Sequence, residues 1–186
     1  MSSSSARPAR SSRLGTAGLV ALGVLAAGCT VQPLYSTPTA YTGTEATSPG
    51  RMLAFVGVDP LDDRVGLEVR NQLVFLMHGG AAEPQSPRYT VKLRIDQRRS
   101  AATTVPVGPD DDAPTSAIVA LDAAYNVVDT STGQAISAGR RTISSAYDVP
   151  RQEFAALRAA RDAENRAARE LAELLRLAVA QDLSRL

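Results

Sequence analysis

Cysteine occurs once in the 186 residues, at Cys29, and histidine once, at His78. A single thiol closes no disulfide, so the domain downstream of it must hold by packing alone. The same scarcity excludes a zinc site built from histidine and cysteine, a Ser-His-Asp triad and a Cys-His pair. Carboxylates acting alone are the enzyme chemistry that is left, and no residue stands out as catalytic, so a non-enzymatic role is expected. Excess charge is also missing: 20 basic and 19 acidic residues leave a net +1. That balance argues against binding nucleic acid through bulk electrostatics. Apolar runs of spanning length are absent too. The run from Leu14 to Ala27 falls short of the roughly 20 residues that a membrane-crossing helix needs.

What precedes and follows that run gives it a different meaning. Arg7, Arg10 and Arg13 lie in a Ser-rich, acid-free stretch before it, and small residues end it. A basic start, a short apolar middle and a small-residue break mark a secretory signal peptide. Leu25-Ala26-Ala27-Gly28-Cys29 resembles a bacterial lipobox, although Ala26 stands where leucine is usual and Leu25 sits one place early. The resemblance implies cleavage before Cys29 and acylation of its thiol and its new amino group. Several acyl chains anchor a protein stably, at roughly 0.8 kcal/mol per buried methylene. A soluble secreted protein with a chance cysteine is the plainer alternative. The expected division is a removed leader at 1–28, a lipidated tether at 29–51 and one domain at 52–186. No cofactor is expected beyond the lipid on Cys29.

Pro33, Pro38 and Pro49 with many Ser and Thr mark the tether. Leu53 to Val58 predicts a first strand, ended by Pro60. Val65, Val69, Leu73 and Leu76 recur at helical spacing between an Asp62 or Asp63 cap and a Gly79-Gly80 stop, predicting a helix over 63–78. His78 in its last turn suits the negative helix end. Tyr89, Val91, Leu93 and Ile95 alternate with Thr90, Lys92, Arg94 and Asp96, a strand pattern. A surface loop follows at 105–114. Its Asp110, Asp111 and Asp112 lack the ligand spacing and glycine of a calcium loop, so no metal is expected. Val119 to Val127 predicts a strand, Asp129 to Gly133 a hairpin turn, and Gln134 to Tyr147 a return strand. From Arg151 to Leu186 there is neither glycine nor proline, and strong helix formers dominate. The expected buried stripe of that helix is Leu157, Ala160, Ala163, Ala167, Leu171, Leu174 and Ala178.

The order β-α-β-β-β-α, with hairpin-linked strands and two amphipathic helices, predicts a two-layer α/β sandwich. It is an α+β arrangement with a mixed sheet and both helices on one face. Alternation then puts Arg88, Thr90, Lys92, Arg94, Asp96 and Arg98 on the opposite face of the second strand. Alternate residues there lie roughly 6.6–6.8 Å apart. Charge on such a strand also serves simply to discourage aggregation.

With this order in place, the chain resembles the lipopolysaccharide-assembly lipoprotein family LptE in its alphaproteobacterial form. The likeness lies in Gln32-Pro33-Leu34-Tyr35 after the lipobox, in Arg64, Arg70-Asn71 and Leu73, and in Ala124 to Asp129 with Thr132-Gly133 and Gly139. Thr30 and Val31 replace the family's usual Gly-Phe. The resemblance implies an outer-membrane lipoprotein on the periplasmic side, plugging the β-barrel of the lipopolysaccharide translocon. Its cargo is lipopolysaccharide, and Arg88, Lys92, Arg94 and Arg98 become candidates for lipid A phosphates, each arginine offering paired donors. An auxiliary lipoprotein of a lipid-transporting ABC system is the alternative, and a carboxylate hydrolase a distant third.

Overall fold

The structure, a computed structural model, describes residues 52–104 and 114–186. Cys29, the expected leader and tether, and Asp110 to Asp112 lie outside the described residues. The elements are β1 (Val56–Val58), α1 (Arg64–His78), β2 (Tyr89–Thr104), β3 (Pro114–Asp129), β4 (Ala135–Asp148) and α2 (Glu153–Leu183). This is the expected order. Local chemistry sets the ends of α1: the Asp63 carboxylate accepts from the Gly66 amide at 2.8 Å. Gly79 closes the helix in the left-handed region at φ 61°, where a side chain would be strained. His78 lies in that last turn.

The strands form one four-stranded sheet in the order β1-β2-β3-β4. β1 and β2 are parallel, and the other neighbours are antiparallel hairpins, so the sheet is mixed. One face carries Tyr89, Val91, Val119, Leu121, Ala123, Tyr125 and Val127, all buried. Helix α2 packs against β3 and β4, and α1 packs against α2 and β1. Leu93 and Ile95 share that inner face but are only half-buried, because the middle of β2 lies under neither helix's main contact.

Three expectations need correction. The first strand is shorter than the apolar run suggests: Leu53 belongs to a helical turn, and Phe55 N–H donates to Met52 O at 3.1 Å. In α1 the buried stripe runs Val65, Val69, Leu73 and Met77, while Leu76 is half-buried. In α2, Leu157 is 50% exposed and Leu174 half-buried, whereas Leu175, Val179 and Leu183 are buried. The stripe thus starts at Ala160 and is rotated by one residue in its second half. Alanine-rich turns fit either rotation, and in the fold it is Leu175, Val179 and Leu183 that take the buried side.

Both rims of the sheet are partly occupied. On β1, Val58 N–H donates to Glu83 Oε1 at 2.5 Å and Val58 O accepts from Arg70 Nε at 3.1 Å. Arg70 and Glu83 also pair with each other at 2.6 Å. On β4, Arg140 O accepts from Arg141 at 2.7 Å and Ala146 O from Arg166 at 2.9 Å. Both carbonyls belong to even-numbered residues, whose backbone groups point away from β3.

Candidate functional site

The face of the sheet turned away from the helices is where register assembles charge. Lys92 lies level with Asn126 and Ala138, Arg94 with Ala124 and Arg140, Asp96 with Asp122 and Thr142, and Arg98 with Ala120 and Ser144. Lys92, Arg94, Arg98 and Arg140 are exposed. Long cationic side chains on β2 and β4 therefore flank a low floor of Asn126, Ala124 and Ala120 on β3. Neighbouring strands are about 4.8 Å apart, which leaves a shallow trough about 10 Å across between Arg94 and Arg140.

The trough is not uniformly basic. Asp96 and Asp122 face each other at its middle, and like charges so placed repel. Arg140 relieves this by pairing with Asp122. That bond chiefly holds the Asp122 carboxyl below its ordinary 3.8, with Thr142 and the charge of Arg98 helping. The same pairing pushes the Arg140 guanidinium further up. Arg140 is invisible in the sequence pattern of β2, since only register brings it level with Arg94.

Of the four cations expected to act together, the structure groups three. Arg88 precedes β2, and its guanidinium lies 5.2 Å from the centroid of the Tyr89 ring. Its backbone N–H donates to Phe55 O at 2.9 Å, and its carbonyl accepts from Thr130 N–H at 3.0 Å. It closes the end of the sheet beside Asp129 rather than extending the row. Asp129 itself is held below its ordinary value mainly by the Ser131 hydroxyl bond.

The inner face carries two polar nodes that hold the layers together. Glu164 on α2, 2% exposed, accepts from Arg64 of α1 and from Arg99 and Gln97 of β2, the last at 2.8 Å. Arg64 also reaches Asn165 at 2.9 Å. The signal was present: Gln97 and Arg99 fall at odd positions of β2, inward like Tyr89, and Glu164 sits four residues after Ala160. An inward charge needs a partner. The second node is Asp182, which accepts from Tyr125 Oη at 2.8 Å and from Ser137. Burial first, and the Asp182 bond second, push the Tyr125 phenol up. Arg64 and Arg70 are thus both used structurally.

Among the described residues no cluster of His, Cys, Asp and Glu is placed to hold a metal. Nor is any of their helices long and apolar enough to cross a membrane.

No protein-family model matches the chain, and no curated protein matches it in sequence. Solved structures do. The fold is similar to that of a protein described as a lipoprotein from Caulobacter crescentus CB15, with a TM-score of 0.60 and 20% identity over 75% of this chain and 98% of that one. A minor lipoprotein from Acinetobacter baumannii aligns with a TM-score of 0.48 and 13% identity, over 69% of this chain and 90% of that one. Rare lipoprotein B from Shewanella oneidensis aligns with a TM-score of 0.46 and 13% identity, over 70% and 92% respectively. The Caulobacter likeness spans nearly the whole of that protein and establishes that the two chains share a fold.

Proposed function

We propose that this chain is an outer-membrane lipoprotein of the LptE family. In this reading it seats in the β-barrel of the lipopolysaccharide translocon and presents its uncovered sheet face to the phosphates of lipid A. It binds and positions, and catalyses nothing. The observation that carries the reading is the trough, in which Lys92, Arg94, Arg98 and Arg140 rise above a floor of small residues. Arginine grips a phosphate through two parallel N–H donors. Arg94 and Arg98 stand four residues, or about 13 Å, apart along β2, with the Asp96–Asp122 pair between them. That division favours a ligand with two separated anionic groups over one with a single charge. The lipobox at Cys29 and the Pro33-Leu34-Tyr35 that follows support a place in the outer membrane.

Two measurements test the reading. Affinity capture from outer-membrane extracts should bring down a large β-barrel protein. An inner-membrane permease in its place would mark an auxiliary lipoprotein of an ABC system. Lys92→Glu with Arg94→Glu should weaken lipopolysaccharide binding at least about tenfold, since charge-assisted bonds are lost and repulsion is introduced. Folding and barrel capture should persist. Unchanged binding in the folded double variant returns this face to a role in solubility.

A further inference from the structure

We propose a second lipid contact, separate from the trough: the first turns of α2 form a docking surface for the anionic headgroup layer of a membrane. Phe154 is 82% exposed and Leu157 50% exposed. Neither belongs to the buried stripe, which begins at Ala160, so the fold does not need these two apolar side chains where they are. With Arg158 and Arg161 they line one open hollow of about 400 Å³. The spacing i, i+3, i+4, i+7 places all four on one side of the helix, over about 10 Å of its length.

The charge around this patch selects the occupant. Among the described residues neither Arg158 nor Arg161 forms an ion pair or a hydrogen bond. Of the nearby acids, Asp162 is taken by Arg166, which leaves Glu153 in the first turn. A second copy of the chain meeting this patch face to face would set arginine against arginine. A small apolar ligand would need an enclosed cavity, and this hollow is open. A bilayer interface supplies both halves of the match. Its acyl boundary takes phenylalanine and leucine, and its anionic headgroups take arginine heads carried on apolar stems.

The test uses residues 52–186, which carry every described strand and helix and the described buried core and contain neither the apolar leader nor Cys29. Sedimentation with vesicles of phosphatidylcholine mixed with phosphatidylglycerol should show binding that vesicles of phosphatidylcholine alone do not support. Phe154→Ser with Leu157→Ser should lower the partition onto the mixed vesicles about tenfold or more, given the apolar area withdrawn. Arg158→Glu with Arg161→Glu should abolish the preference for the anionic mixture. Circular dichroism should show both variants folded, as expected for exposed positions. Lys92→Glu with Arg94→Glu should leave vesicle binding unchanged, and these vesicles hold no lipid A, so failure here is distinct from failure of the trough. The proposal is overturned by equal binding of the Phe154/Leu157 variant or by equal binding to both vesicle types. Loss confined to the Lys92/Arg94 variant would overturn it as well. So would loss of barrel capture by the Phe154/Leu157 variant with vesicle binding intact, which would make the patch a protein contact.

Discussion

Tyr125 reaches Asp182 because its partner across the sheet, Gly139, has no side chain. A Cβ at 139 would stand 2.6 Å from Tyr125 Oη and 2.7 Å from its ring carbons. The ring therefore lies over the backbone of β4, with the Arg141 guanidinium 6.0 Å from its centroid. Gly139→Ala should destabilise the protein by about 1–3 kcal/mol, as overpacking typically does, measured by urea unfolding. A loss below about half a kcal/mol, typical of unconstrained surface sites, would mean that the ring swings aside freely. This pairing is not legible from the chain alone. The Asp129–Gly133 turn announces a hairpin, but an irregularity between Val127 and Val128 shifts the register. No residue there signals it, so which residue of β4 meets Tyr125 is settled only in the folded sheet.

At the scale of elements, the long helix shows where pattern reading succeeds and where it stops. The absence of glycine and proline predicts α2 within a few residues of its Glu153–Leu183 bounds. Its rotation is another matter. Leu174 and Leu175 both satisfy steps of three and four from Leu171, and the alanine-rich turns before Leu171 are indifferent to which is chosen. Leu175 is buried and Leu174 half-buried. Leu175→Ala should then cost about 2–5 kcal/mol, and Leu174→Ala under about 1 kcal/mol, compared by thermal unfolding of the two variants. Equal losses would mean that the helix sits turned from this position. The trough was half legible in the same way. Alternation in β2 exposes Lys92, Arg94 and Arg98, whereas the contribution of Arg140 needs three strands in register.

For the whole molecule, the anchor proposed at Cys29 lies outside the elements that build the described fold. Every described strand and helix, from Val56 to Leu183, lies well downstream of residue 29, so removing the thiol should leave the domain intact. Metabolic labelling with an acyl-chain analogue should mark the wild-type chain and miss Cys29→Ser, while both give the same unfolding curve. Equal labelling would refute acylation at Cys29.

The arginines on the rims of the sheet have one more consequence. A protein confined to a plane by acyl chains meets its neighbours far more often than one free in three dimensions. Two bare strand edges in such a crowd invite end-to-end zipping into ribbons. Here Arg70 with Glu83 occupies one edge, and Arg141 and Arg166 interrupt the other. A newcomer's strand must first evict a guanidinium, so were the chain held on a membrane as proposed, both edges would oppose that zipping.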